Sequence, residues 1–347
     1  MSQQMTATWP QILVDWYAEN KRMLPWRRTQ DAYHVWVSEI MLQQTRIEAV
    51  MGYYHRFMEA FPTVEDLAGA PIEQVLKLWE GLGYYSRARN LHKAAQQVVE
   101  RGDFPSSYEE IVKLPGIGDY TAGAIAAIAF GQPVTAIDGN VMRVVSRIYA
   151  LEEDIMLPAS KKNVKSILET VYPSGRASDF VQGLMELGEL ICIPGNPRCE
   201  NCPIQEQCQA LAEGKQTVLP LRVPKTKKKS EERYVLIAEN EEKVLLTKRP
   251  EQGLLAGLWE YPNVVAESMQ EAEKKFLQEY GFEVSLTEAI GQAEHVFTHI
   301  RWKMQVYGGK VRDIDGFAAM RRPYIWASRE QLEKEIMLPV AFSKIKW

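Results

Sequence analysis

The chain has 347 residues, a formal net charge of −4, 46% apolar and 25% charged residues. That length suggests two domains, each large enough to bury its own core, and the apolar–charged balance excludes a disordered or fibrous chain. No apolar run reaches membrane-spanning length, which argues against an integral membrane protein, and the net charge argues weakly against a nucleic-acid binder, although local distribution of charge matters more than the sum.

The first ~210 residues carry apolar residues at helical period and almost no alternation, which predicts helix after helix. The expected helices run over 9–20, 36–61, 72–79, 91–99, 108–114, 120–130, 141–149 and 164–171. Residues 219–233, with two prolines and five Lys or Arg between 222 and 229, read as an exposed linker. Beyond it the period changes. Residues 234–238 and 244–247 predict strands of a hairpin, 269–280 a helix ending before Gly281, and 297–307 an alternating strand with Ile300, Trp302, Met304 and Val306 on one face. The expected architecture is therefore a mainly α domain over 1–218, the linker 219–233, and an α+β domain over 234–347.

All four cysteines fall in one short stretch, Cys192, Cys199, Cys202 and Cys208, spaced C-x6-C-x2-C-x5-C. Four convergent thiolates suit a tetrahedral or cubane metal centre, and the prolines and glycine between them suit a chain turning about one point. Two disulfides would need an oxidising compartment. The start, Met-Ser-Gln-Gln-Met-Thr, lacks the basic and apolar parts of a signal peptide, so the expected compartment is the cytosol or the nucleoid. Spacing alone leaves structural zinc and iron–sulfur even.

Three further segments bear chemistry. Leu114-Pro115-Gly116-Ile117-Gly118 lies between two helical stretches. Pro115 fixes φ, Gly116 and Gly118 permit backbone that a side chain would forbid, and the following helix N-terminus suits a phosphate oxygen. A hairpin of this kind docks on a DNA backbone without reading sequence. Glu39 is the one ionisable residue within 35–42. Buried there, it would be protonated near neutral pH and able to act as a general acid, although from this segment alone a buried glutamate satisfied by a backbone or Arg partner is the better reading. Asp138 precedes a helical stripe and so reads first as an N-cap. A carboxylate held at a cleft would also stabilise a developing cation, and a protonated Glu with an ionised Asp is the pair that cleaves glycosidic bonds.

Together LPWR (24–27), WVSEIMLQQT (36–45), EGLGYYSRARNLHKAA (80–95), LPGIGDYTAGAI (114–125), AIDGNVMRV (136–144) and the cysteine loop resemble the helix–hairpin–helix DNA glycosylase superfamily. Within it they are similar to the branch that removes adenine mispaired with 8-oxoguanine or guanine in duplex DNA. GLLAGLWEYP (253–262) and HVFTH (295–299) resemble that branch's Nudix-like second domain. The resemblance implies a [4Fe–4S] cluster on Cys192, Cys199, Cys202 and Cys208. It implies Glu39 as the general acid, Asp138 as the carboxylate beside the sugar cation, and Tyr120 and Asn140 as their supports. Gln44 and Tyr84 match residues inserted into the DNA stack, with Thr45, Leu82, Gly116 and Gly118 beside the DNA. Trp26, Arg27, Leu42 and Gln182 match the walls of a pocket for the flipped base. Phe297, Thr298 and His299 match the loop that reads 8-oxoguanine, Thr298 keeping the hydroxyl of the family's serine form. A flipped base leaves a gap in the stack, and a polar plug and a flat aromatic are what that gap needs. Tyr84 and Tyr85 beside Arg87 and Arg89 would form an aromatic–basic patch on the DNA side. Double-stranded DNA is the expected partner, the chain is expected to be a monomer, and a sliding clamp or mismatch-repair protein is a candidate partner.

Three alternatives are set against this. Endonuclease III-type glycosylase/lyases carry a lysine nucleophile where this chain has Tyr120, so a Schiff base is not expected here. A Nudix hydrolase needs an Arg-Glu step and paired glutamates for Mg²⁺, which the helix at 270–281 lacks. A non-catalytic DNA-damage binder would leave Glu39 and Asp138 as core and cap residues.

Overall fold

The computed structural model describes residues 8–223, 229–312, 320–343 and 345. The chain divides into two compact units, Met1–Gly69 with Lys93–Lys225, and Ala70–His92 with Thr226–Trp347.

The first unit is helical. It contains α1 (Trp9–Asn20), α2 (Ala32–Leu42), α3 (Ile47–Ala60) and α4 (Val64–Gly69). After α5 (Ile72–Leu78), which belongs to the other unit, α6 (Ser86–Arg101) runs back into it. Then follow α7 (Tyr108–Ile111), α8 (Asp119–Phe130), α9 (Gly139–Ile148), α10 (Pro158–Val171), α11 (Ala177–Leu190) and α12 (Gln209–Ala212). The centre is α8. Its residues from Thr121 to Ile128 are all buried, as an all-round apolar helix must be. Gly123 lets a neighbouring segment come close: a Cβ there would collide with the Thr135 carbonyl. The segment leading into Asp138 is therefore pressed against α8. One core cluster joins Leu13 and Val14 of α1 to Val141, Val144 and Val145 of α9 and to Phe180, Leu184 and Leu187 of α11.

The second unit is built on a mixed sheet of β1 (Lys229–Asn240), β2 (Lys243–Lys248), β3 (Trp259–Glu260), β4 (Asn263–Val265), β5 (Glu283–Val296), β6 (Ile300–Arg312) and β7 (Tyr324–Ser328). Strand order is β3-β2-β1-β6-β5, with β4 on β1 and β7 on β2. β1 and β6 are parallel, Tyr234 opposite Gln305, while β5 and β6 form an antiparallel hairpin with Val296 opposite Arg301. β1 splits by period two. Tyr234, Leu236 and Ala238 face one core with Phe276 and Tyr280 of α13 (Met269–Tyr280). Val235 and Ile237 face the other with Trp302, Met304, Val306 and Phe342 of α15 (Val340–Ser343), which follows α14 (Arg329–Lys334). Both faces are covered, so the strand reads as a continuous apolar run.

The helices expected at 9–20, 120–130, 141–149 and 269–280 form within a residue or two of those bounds. The long helix expected over 36–61 is broken: residues 43–46 separate α2 from α3, and Gln44 there has φ 59°. The strand expected from 234 begins at Lys229, and residues 224–228 of the basic run lie outside the described residues. α11 and β5 had no counterpart in the sequence reading.

Candidate active site

α2 begins on a side-chain cap, Asp31 Oδ1 accepting from the His34 N–H at 3.0 Å, and carries Glu39 in its last two turns. Glu39 is 6% exposed. The hydroxyl of Tyr120, in the first turn of α8, donates to Glu39 Oε2 at 2.7 Å. Burial pushes the Glu39 carboxyl up to about 7; the Tyr120 hydrogen bond opposes the rise, the Asp138 charge adds to it and Arg27 opposes it. The partner of Glu39 is thus a tyrosine hydroxyl and not the backbone group or arginine weighed for it, and the pair lines a cavity.

Asp138 caps α9 and lines the same cavity, so its cap and cleft readings hold together. Its Oδ1 accepts from the Val141 N–H at 2.8 Å and its Oδ2 from Asn140 Nδ2 at 2.9 Å. Burial raises its pKa, while those N–H donors and the Arg143 charge hold the rise back by favouring the ionised form. Asn140 is fixed in turn. Its Oδ1 accepts from Arg143 Nη2 at 2.7 Å, and Gly188 of α11 lies so close that an added Cβ would stand 2.7 Å from the Asn140 Cβ.

The cavity, about 170 Å³, is lined by Trp26, Arg27, Glu39, Leu42, Thr45, Tyr120, Asp138, Asn140 and Gln182. The structure therefore brings together every catalytic and pocket residue that the sequence singled out, and adds Thr45, expected at the DNA side. It also adds wall residues that the sequence reading missed, among them Ser38, Met185 and Glu186. Glu186 accepts from Arg22 at 2.8 Å and from Arg27 at 2.9 Å. Arg27 Nε donates to Gln182 Oε1 at 3.2 Å. The available signal was a second acid, Glu186, among the apolar residues of 180–187.

At the hairpin, the Ile117 N–H bonds the Leu114 carbonyl at 3.1 Å, with Pro115 and Gly116 between them. Gly116 has φ 76°, which a type II turn requires at its third position. Gly118 differs from the expectation. It is the N-cap of α8 with φ −99°, and nothing lies within 4 Å of where its Cβ would be. Any residue could adopt that backbone, so at this position glycine leaves the helix end bare instead of relieving strain. Gln44 is exposed.

The second unit holds Tyr84 and the 297–299 segment together. Tyr84 has φ 49° and is 47% exposed. Its hydroxyl lies 2.6 Å from Thr298 Oγ1. Phe297, Thr298 and His299 form the turn of the β5–β6 hairpin, closed by the Phe297 N–H on the Ile300 carbonyl at 2.8 Å. Leu82, Tyr84, Arg89 and the turn line a cavity of about 760 Å³ in this unit. The aromatic–basic patch is only partly on the surface. Leu82 and Tyr85 are buried, and Arg87 turns inward to donate to the Leu82 and Gly83 carbonyls at 3.1 Å each. Burial lowers the Arg87 pKa to about 10. Its role here is to hold the loop that presents Tyr84.

The four cysteines are free thiols lining one small cavity of about 20 Å³, with Arg147 and Gln205. The donor set is all sulfur, as a cluster needs. Arg147 Nη1 donates to Cys192 Sγ at 3.2 Å, a cation where thiolate charge would accumulate. Arg143 ties this loop to the site, since its Nε donates to the Cys192 carbonyl at 2.7 Å while its Nη2 holds Asn140.

A family model described as HhH-GPD superfamily base excision DNA repair protein matches residues 37–174, and a NUDIX domain model matches residues 233–346. An adenine DNA glycosylase of Arabidopsis thaliana is 39% identical, over 85% of this chain and 56% of its own length. An adenine DNA glycosylase of Rattus norvegicus is 37% identical, over 85% of this chain and 69% of its own length. The chain thus spans little more than half of the first of these relatives. A solved structure of a thermostable thymine-DNA glycosylase is similar with a TM-score of 0.54 and 29% identity, covering 59% of this chain and 95% of that one.

Proposed function

The chain belongs to the adenine DNA glycosylase family, and from that premise we propose that it excises adenine mispaired with 8-oxoguanine or guanine in duplex DNA by hydrolysing the N-glycosidic bond. The observation that carries this reading is one pocket holding Glu39, hydrogen-bonded to Tyr120, and Asp138, hydrogen-bonded to Asn140.

The two carboxyls sit in different surroundings, and this sets their roles. Glu39, its pKa pushed up to about 7 by burial, still carries its proton in a substantial share of molecules near neutral pH and donates it to the flipped base, making that base a leaving group. Asp138, held by two N–H donors, is the carboxylate that stabilises the positive sugar as the bond breaks. General acid assistance of this kind is worth roughly 10²–10⁴-fold. Tyr120 stands where a lyase would carry an amine, and a phenol cannot form a Schiff base, so the reaction ends at the abasic site.

Gln44 and Tyr84, both held at positive φ, are the residues that fill the gap left by the base. The Phe297–His299 turn reads 8-oxoguanine, and the Tyr84–Thr298 hydrogen bond supports one surface for both tasks. Cys192, Cys199, Cys202 and Cys208 hold a [4Fe–4S] cluster. When bound, the cluster supplies four iron–thiolate anchors that close the loop beside Arg143 and Arg147, and no step of the hydrolysis is assigned to it.

Single-turnover release of adenine from a duplex with adenine opposite 8-oxoguanine tests the reading. The wild type should release adenine without nicking the product strand, and Glu39→Gln should lose at least about 10²-fold in rate. An unchanged rate in Glu39→Gln would overturn the acid assignment.

A further inference from the structure

Beside Glu39, the wall of the pocket carries a charge cluster that the mechanism above does not use. Glu186 of α11 has a side chain only 1% exposed and accepts from two arginines. Arg22 donates through its backbone N–H at 3.1 Å, Nε at 2.8 Å and Nη2 at 2.9 Å. Arg27 donates through Nη1 at 3.1 Å and Nη2 at 2.9 Å. Arg22 reaches on to Glu189 at 2.8 Å. Arg27 Nη1 also donates to the Arg22 carbonyl at 3.3 Å, and its Nε fixes Gln182, whose Nε2 in turn donates to Ser178 Oγ at 3.0 Å. A guanidinium has no acceptor, so this contact determines which end of the Gln182 amide faces Arg27.

We propose that Glu186 is a positioning residue for base release: its buried carboxylate clamps Arg22 and Arg27, offsets part of the Arg27 charge in the pocket that holds Glu39 and, through Arg27, sets the Gln182 amide. The inference rests on the glycosylase reading. An uncompensated guanidinium in a poorly solvated pocket favours ionisation of a nearby carboxyl, and an ionised Glu39 has no proton to give. Burial alone would raise the Glu186 pKa, but the hydrogen bonds from Arg22 and Arg27 prevail and pull it down to about 2, so the clamp stays charged throughout the working range. The titratable and charged groups acting on Glu39 are Tyr120 from α8, Asp138 from α9 and Arg27 from the turn before α2; Glu186 and Glu189 from α11 line the same pocket, where α3 offers only Ile47.

The sign of the effect follows. Glu186→Gln removes a negative charge and leaves Arg27 unopposed, so Glu39 titrates at lower pH. Arg27→Gln removes the cation, so Glu39 titrates at higher pH. The double variant removes one charge of each sign and should return close to the wild type. The experiment is single-turnover adenine release by the full-length protein, followed from acid to alkaline pH. The midpoint of the alkaline fall should drop by about one pH unit in Glu186→Gln and recover in the double variant. An unchanged midpoint in folded Glu186→Gln overturns the inference, because a merely structural residue would change rate and stability without moving it. If Glu186→Gln does not fold, Arg27→Gln is compared with the double variant. The double variant should titrate lower, and equal midpoints overturn the inference. Absence of adenine release by the wild type would instead overturn the glycosylase reading, and this inference with it.

Discussion

A carboxyl whose pKa is lifted to about 7 costs the fold something, and at Glu39 that cost is measurable. In an unfolded chain glutamate titrates near 4.3, so between the two values the folded state binds the extra proton. Stability contributed at this position is therefore present in full below about pH 4 and lost as pH rises towards 7. The difference amounts to roughly 4 kcal/mol. Glu39→Gln removes the titration while its amide oxygen can still accept from Tyr120. The variant should therefore unfold at about the wild-type temperature at pH 5 and distinctly above it at pH 8. Thermal melts at the two pH values check this, and parallel curves would mean that Glu39 is not the buried acid described. The same residue shows how far sequence reaches at this scale. One ionisable group among apolar neighbours was legible as buried, and Asp138 before a helical stripe was legible as a cap. Tyr120 and Asn140 were named as their supports only through resemblance: the Tyr120–Glu39 bond spans 81 positions, and no local period encodes it.

At the scale of elements, two features that serve the site escaped the sequence reading: the break between α2 and α3, and α11. The break at 43–46 has no proline or glycine to announce it. It rests on Gln44 holding φ 59°, a conformation costing of order 1–3 kcal/mol that the surrounding fold must impose. α11 was hidden for the opposite reason. Gly183 and Gly188 each weaken its helical signal by about 1 kcal/mol relative to alanine. Both positions are close approaches: a Cβ on Gly183 would stand 3.3 Å from the Tyr17 Cβ, and one on Gly188 would press into Asn140. With α11 unread, Glu186 went unread too, whereas Gln182 was found only through resemblance. The packing makes a prediction. Gly188→Ala should leave the helical content intact and cost about 1–3 kcal/mol in strain. By displacing Asn140 from Asp138 it should also slow adenine release at least tenfold, without weakening binding of duplex DNA. Circular dichroism, denaturant unfolding and single-turnover kinetics on one preparation separate these effects, and a wild-type rate would show that Asn140 is not needed where it stands.

Across the whole molecule, the change of period near residue 230 was legible as a change of architecture, but the membership of the two compact units was not. Residues 70–92 read as one more helical stretch of the first half. Their contacts place them in the same unit as 226–347, where Tyr84 meets Thr298. A truncation after residue 225 would therefore remove the partners of Tyr84 as well as the reading turn, and any loss of lesion preference would have two causes. A substitution in the intact chain isolates one. Thr298 is exposed, its hydroxyl lies on Tyr84, and the turn is closed by backbone atoms of Phe297 and Ile300, so Thr298→Ala removes one polar group and leaves the hairpin standing. Losing a hydrogen bond of this kind costs about 0.5–1.5 kcal/mol, or roughly two- to tenfold. We expect that loss in excision of adenine opposite 8-oxoguanine, where the turn has a lesion to read. Excision opposite guanine should change less, and the alkaline midpoint set by Glu39 should not move. Equal loss on both duplexes would mean that Thr298 supports Tyr84 in the stack without reading the opposite base, and the 8-oxoguanine assignment would then have to move to another part of the turn.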